Sequence, residues 1–327
     1  MRLFFSIILV YFFLARLQAQ SGYAKPDFAV QYISYFGIGS ASVQKSAIIG
    51  HNAANYALMQ QALPKWTDQG LGIPVYFYQK TIEDCGADLL IQKLEKEYNV
   101  LEEKELAKRL QKIRETILVA DIPKGLSNQL KNAIQEFYKG KKIRISSSPN
   151  YYSSIKTFSI STSLEDLSPS ITQVYASFWK LEAVKERFKN KENKQFALGL
   201  LITQGFEYGY AIGRVQTDYS GQFPSIHIMS KRESSTERIG FPRFDSKWYR
   251  TYEKAKKAAV FVDNASLTPT VRDLQQATIV LDPILRAGKD KKLSDKNYNT
   301  VFTFIIKKLN GKFQLKLQQP ELQLTHQ

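Results

Sequence analysis

The chain has 327 residues, 43% hydrophobic and 23% charged, enough to bury a large core in two domains or lobes and too apolar for bulk disorder. Its formal net charge of +16 favours polyanionic partners, but the basic residues are spread out and mixed with acids, with no arginine-rich tract and no zinc or RNA-binding motif, which argues against nucleic acid. A single cysteine, Cys85, excludes a disulfide framework, and three scattered histidines offer no metal-ligand spacing.

Residues 1–19 read as a secretory signal peptide. Arg2 precedes an apolar run from Leu3 to Ala15, and small or polar residues follow, with cleavage expected after Ala19. That run is shorter than the roughly 20 residues a spanning helix needs, and no later segment approaches that length. Without Arg2 and Arg16 the formal net charge is about +14. Export without disulfides fits a periplasmic or extracellular place in a bacterial envelope.

Residues 20–47 form a polar and aromatic lead-in. An N-terminal lobe is expected over 48–140, helical with a few strands. Ile48–Gly50 ends a short strand, His51–Leu63 forms a helix stopped by Pro64, and Ile73–Tyr78 is a strand. Thr81 opens a helical region that runs through Leu94. Glu102–Val119 is a stronger helix, with Leu106, Leu110, Ile113 and Ile117 at helical spacing, and Ser127 caps the next one, which ends at Gly140.

The C-terminal lobe is expected over 141–327. Lys141–Ser148 alternates as a strand, with Ile143 and Ile145 on one face and Arg144 and Ser146 on the other. A helix capped by Ser170 carries Ile171, Val174, Tyr175, Phe178, Leu181 and Val184 on one apolar face, and a charged run, Lys185–Lys194, follows. Phe196–Thr203 and Tyr208–Thr217 read as a buried strand pair with Gly205 in the turn. Ile226–Met229 is a short strand, Ser230–Arg243 is loop-like, Trp248–Val262 is mixed and Thr270–Leu285 is helical. Asn310-Gly311 between two apolar runs signals a hairpin over 301–319. The fold class is α+β.

Four stretches in collinear order carry a family resemblance: IIGHNAANYALMQQALP with GLGIPVYFY, the Ser147-Ser148 strand end, ITQVYASFWKLEAVKERF with KQFALGLLIT, and FTFIIKKLNGKFQLKLQQP. Together they resemble the PEP/pyruvate-binding, ATP-grasp domain of phosphoenolpyruvate synthase and pyruvate phosphate dikinase, across roughly residues 48–320. The resemblance implies a two-lobed ATP-grasp-like domain that binds ATP and Mg between its lobes and passes phosphate to the histidine of a phosphocarrier domain. The nucleotide-binding positions it designates are His51, Arg144, Ser146, Ser147, Lys316 and Gln318. His51 stands where the family has its phosphate lysine, and Ser146 where it has an arginine, which Arg144 replaces two residues earlier on the same face. Phe304-Ile305-Ile306 occupies the place of the magnesium-binding glutamate, and Gln319 that of a second arginine. Asn150 matches a family asparagine, but Tyr151, Tyr152 and Ser153 follow where acids are expected. None of His51, His227 and His326 stands in a phosphocarrier motif.

Phosphoryl transfer needs cations on the phosphates and oxygen ligands for magnesium. These replacements favour a non-catalytic descendant that binds a nucleotide, another ligand or a partner protein, with no catalytic residue assigned. Two alternatives stand beside it: an active ATP-dependent phosphotransferase working with a separate phosphocarrier, and a basic module binding an envelope polyanion. No nucleophile-elbow motif is present, and Cys85 has no histidine near it in sequence, so hydrolase chemistry is not expected.

Overall fold

The computed structural model describes residues 23–37, 45–153, 157–189, 195–205, 211–216, 225–230, 236–240, 298–309 and 312–324. The expected signal peptide, the mixed stretch 248–262 and the expected helix 270–285 lie outside them. The chain forms two compact units, one of residues 24–57 and 69–207, the other of 1–23, 58–68 and 208–327. Helices and antiparallel sheets together make it an α+β protein.

The first unit holds a five-stranded antiparallel sheet in the order β1-β2-β5-β3-β4. Its strands are β1 (Ser34–Tyr35), β2 (Leu71–Ile73), β3 (Ile143–Pro149), β4 (Ser159–Thr162) and β5 (Leu198–Gln204). Central β5 is buried from Leu198 to Thr203, as its continuous apolar run requires when both faces are covered. A boundary at residue 140 would cut this sheet, because β2 pairs with β5 from Leu71↔Ile202 to Ile73↔Leu200.

Three local expectations are corrected here. Ile48 and Ile49 belong to a short helix, α1 (Ser46–Ile49), rather than a strand. Only Ile73 of the expected strand Ile73–Tyr78 is extended. Pro74, at φ −60 and ψ 146, starts helix α3 (Val75–Asp84), which follows α2 (His51–Ala62) in the chain. Proline suits that entry because it has no N–H to lose and its φ is already helical. Val75, Tyr78 and Ile82 are buried at three- and four-residue steps, the helical period, although the composition reads as β. Thr81 therefore lies inside α3, its hydroxyl donating to the Phe77 carbonyl at 2.7 Å.

Gly86, at φ 75, breaks the expected helical region and starts α4 (Ala87–Glu97). Helices α5 (Glu103–Leu118) and α6 (Lys124–Tyr138) bury the apolar rows that their spacing indicates. Ser127 lies within α6 rather than at its cap. The helix expected from Ser170 is two: α7 (Leu167–Ser177) and α8 (Leu181–Lys189). Between them Phe178, Trp179 and Lys180 donate to carbonyls three residues back, a tightened turn that redirects the chain. Ser170 is inside α7, and its hydroxyl donates to Thr162 at 2.8 Å.

The second unit holds another antiparallel sheet in the order β10-β9-β6-β7-β8. It comprises β6 (Ala211–Gln216), β7 (Ser225–Ser230), β8 (Thr236–Gly240), β9 (Tyr298–Leu309) and β10 (Lys312–Leu324). Strands β5 and β6, expected as a pair, belong to different sheets. β5 bonds β2 and β3, and β6 bonds β7 and β9. β8 lies in the stretch expected to be a loop. The C-terminal hairpin runs longer than expected, with Lys312 opposite Leu309 and a bulge between Gln318 and Pro320. Among the described residues no helix is long and apolar enough to cross a membrane.

Candidate functional site

Three of the residues designated by the resemblance meet in one corner of the first unit, where α1 turns into α2 against the ends of β3 and β5. Gly50 makes that turn. Its φ is 78, and a Cβ there would fall 1.7 Å from the Ser148 carbonyl oxygen, so only glycine fits. The approach brings the first turn of α2 onto β3. The Ala53 N–H donates to the Ser148 hydroxyl at 2.9 Å, capping the helix from a distant strand. Asn52 donates to the Ser147 carbonyl and to the Thr157 hydroxyl, both at 2.9 Å.

Ser147 and Ser146 are themselves buried. The Ser147 hydroxyl accepts from the Phe158 N–H at 3.1 Å, and its own N–H donates to the Phe158 carbonyl. Ser146 sits between Ser159 of β4 and Leu201 of β5 in register. Arg144, half-buried two residues earlier, donates to the Ser159 hydroxyl at 2.7 Å. Asn150, fully buried, ties three segments together. It donates to the carbonyls of Ala24 and Gln195 at 2.7 and 3.0 Å and accepts from the Ala197 N–H at 2.9 Å.

His51 lies at the start of α2 and is buried, its ring stacked on Tyr152 with centroids 4.0 Å apart. Neither ring nitrogen has a hydrogen-bond partner. Burial pushes its pKa down to about 3, and the nearby Asn150 backbone, too poorly aligned for a full hydrogen bond, pulls the other way. The ring is therefore neutral at neutral pH. Lys316 and Gln318 lie on β10 of the second unit, where Lys316 makes a 2.9 Å ion pair with Asp68. The same stretch of β10 is held by the Leu317 N–H donating to the Trp66 carbonyl at 2.7 Å.

A second polar feature of the first unit lies where the sequence reads as a solvated charge run. Val184, Arg187 and Phe188 share the buried face of α8, and Arg187 is only 2% exposed. Its guanidinium lies 3.9 Å from the Phe178 ring centroid and 5.0 Å from that of Trp179. The guanidinium bonds the Tyr151 hydroxyl, and its two terminal amino groups, sealed from solvent, have no partner. The signal in the sequence was the position of Arg187 three residues after Val184, on the apolar face.

Arg187 borders a cavity of about 350 Å³. Tyr78, Ile82 and Ile91 contribute from α3 and α4, and Trp179, Phe188 and Phe196 from the other side. Gln79, Asp88, Gln92, Glu95 and Gln195 complete the lining, and all five are half-buried or exposed. The Trp179 indole donates to the Tyr78 hydroxyl at 2.9 Å, fixing two of the aromatic walls. Burial raises the Tyr78 and Tyr151 pKa values, and the Arg187 charge partly offsets the rise in both. Half-buried Cys85 takes no part, and burial holds its thiol above the usual range. Among the described residues no group of histidine, cysteine or acidic side chains is arranged to hold a metal ion.

In comparisons with known proteins, no family model and no curated protein matches the chain.

Proposed function

We propose that the chain is an exported, two-lobed ATP-grasp-like protein that binds a ligand or a partner without phosphotransfer chemistry. The reading rests on the resemblance to the PEP/pyruvate-binding domain together with one observation. The polar groups at the designated nucleotide positions in the first unit are engaged in the fold itself. Ser147 bonds Phe158 and Asn52, Arg144 bonds Ser159, and the hydroxyl of the adjoining Ser148 caps α2. His51, at the phosphate-lysine position, is buried and neutral. A triphosphate needs cations and N–H donors directed at its oxygens, and here those groups have other work. In the second unit Lys316 is paired with Asp68.

Thermal unfolding with and without Mg-ATP tests the reading. At 100 times its dissociation constant a ligand adds about 2.7 kcal/mol to stability. The expected result is an unchanged unfolding midpoint at millimolar Mg-ATP. A clear upward shift, lost on Arg144→Ala, would instead establish the phosphotransferase alternative.

A further inference from the structure

Five of the twelve described side chains around the cavity are amides or carboxylates: Gln79, Asp88, Gln92, Glu95 and Gln195. Small-molecule pockets are lined mostly by apolar groups with a few polar ones, so this lining calls for a ligand that makes many hydrogen bonds. Asp88, Ile91, Gln92 and Glu95 recur at three- and four-residue steps, so one face of α4 turns toward the cavity. Asp88 is half-buried and Gln92 exposed, and neither side chain takes part in a hydrogen bond among the described residues.

Charge narrows the ligand. Asp88 and Glu95 repel an anion, Glu95 contributing charge rather than a bond because it has an interaction of its own. The Arg187 guanidinium, stacked on Phe178 and Trp179 with its amino groups sealed, gives the cavity no donor, but its charge opposes a cation. A neutral molecule remains. Carboxylates only accept hydrogen bonds, whereas amides donate and accept, so the ligand must be rich in uncharged donors, as a polyhydroxylated molecule is. It also needs an apolar face for Ile91 and for Phe196, which is half-buried and the most exposed ring of the lining. The volume of about 350 Å³ lies near the lower end of the range for small-molecule sites.

We propose that this cavity binds a neutral pyranose sugar. Its hydroxyls donate to the Asp88 carboxylate and bond the Gln92 amide, and its C–H face packs against Ile91 and Phe196. The site is separate from the designated nucleotide positions, so the proposal goes beyond the preceding one and holds whether or not Mg-ATP binds.

Calorimetric titration and saturation-transfer NMR of the full chain test it with D-glucose and D-galactose. Each is set beside its charged counterparts, D-glucosamine and D-glucuronate for the first, D-galactosamine and D-galacturonate for the second. At least one neutral sugar is expected to bind, and both of its charged counterparts at least about tenfold more weakly. Maltose and lactose end in the same two rings: tighter binding than the free sugar assigns the site to a glycan end, and equal or weaker binding assigns it to the monosaccharide. Asp88→Ala and Gln92→Ala each remove one bonding group from a helix face that tolerates alanine, and each is expected to weaken binding about tenfold. The proposal is overturned if neither neutral sugar binds at about 10 mM, if a charged counterpart binds as tightly as the neutral sugar, or if both alanine variants bind normally.

Discussion

The corner around Gly50 and the cavity beside Arg187 are both polar places inside the same unit, and they are built on opposite terms. In the corner nearly every donor and acceptor meets another from the protein: Ala53 with Ser148, Asn52 with Ser147, Asn150 with Ala24, Gln195 and Ala197. His51 is the exception there, and it is kept neutral by burial. Beside the cavity a side chain that stays charged at any ordinary pH keeps two amino groups without acceptors. A satisfied network holds a fold together and has little left to offer a ligand. A buried charge held by two rings and one hydroxyl contributes little net stability, because its burial cost offsets those contacts.

The largest effect expected from this contrast is at Gly50. Gly50→Ala puts a methyl group into the Ser148 carbonyl at a left-handed φ, so α2 must move off β3. A loss of about 4 kcal/mol is expected in urea unfolding. A loss under about 1 kcal/mol would mean that the corner yields easily and is no fixed joint. Asn150→Ala comes next. It strands the buried Ala197 N–H and two part-buried carbonyls, and about 3 kcal/mol should be lost by the same measurement.

His51 gives an effect that is absent near neutrality and grows as pH falls. Its folded pKa, near 3, lies below the value of about 6.5 expected in the unfolded chain. The unfolded state therefore takes up the proton first as pH falls. The contribution of the neutral ring is complete above about pH 6.5 and is lost at up to about 1.4 kcal/mol per unit as pH drops toward 3. His51→Phe keeps a ring on Tyr152 and removes the titration. Stability curves of the two proteins should converge near neutrality and separate in acid, with the variant the more stable. Parallel curves would show that His51 is solvated. Lys316→Met, in the second unit, removes a partly exposed ion pair with Asp68, and about 1 kcal/mol is expected to be lost.

The elements legible in the sequence were those whose apolar period is long and unbroken. α5 and α6 fall where Leu106 to Ile117 and Leu130 to Tyr138 place them, and the Asn310-Gly311 signal located the hairpin of β9 and β10. The strand composition of Val75-Tyr76-Phe77-Tyr78 hides α3, because four aromatic or branched residues in a row outweigh a helical burial pattern that only packing reveals. The separation of β5 and β6 into two sheets was not legible either. Adjacent apolar runs around a glycine look like a hairpin, and nothing local says that β5 will bond β2 and β3. For the candidate sites the contrast is sharper. The resemblance designates Ser146, Ser147 and His51 by the collinear order of the family's motifs. Arg187 was passed over because its neighbours Lys185, Glu186 and Lys189 make the segment look like a solvated face. Only the spacing from Val184 to Arg187 and Phe188 distinguishes it.

Arg187→Met gives the smallest expected change in stability and bears most directly on the contrast. Methionine keeps the long apolar stem against Phe178 and Trp179 and gives up the charge. Were Arg187 a structural cation like those in buried ion pairs, removing it would cost about 3–5 kcal/mol, because a partner would be left behind. No carboxylate pairs with it among the described residues, so the lost cation–π attraction and the lost bond to the Tyr151 hydroxyl are offset by the lost burial cost of the charge. Unfolding free energy is expected to fall by about 1 kcal/mol or less. A loss of about 3 kcal/mol or more in urea unfolding would show that the fold depends on the guanidinium itself rather than on the stem that methionine keeps.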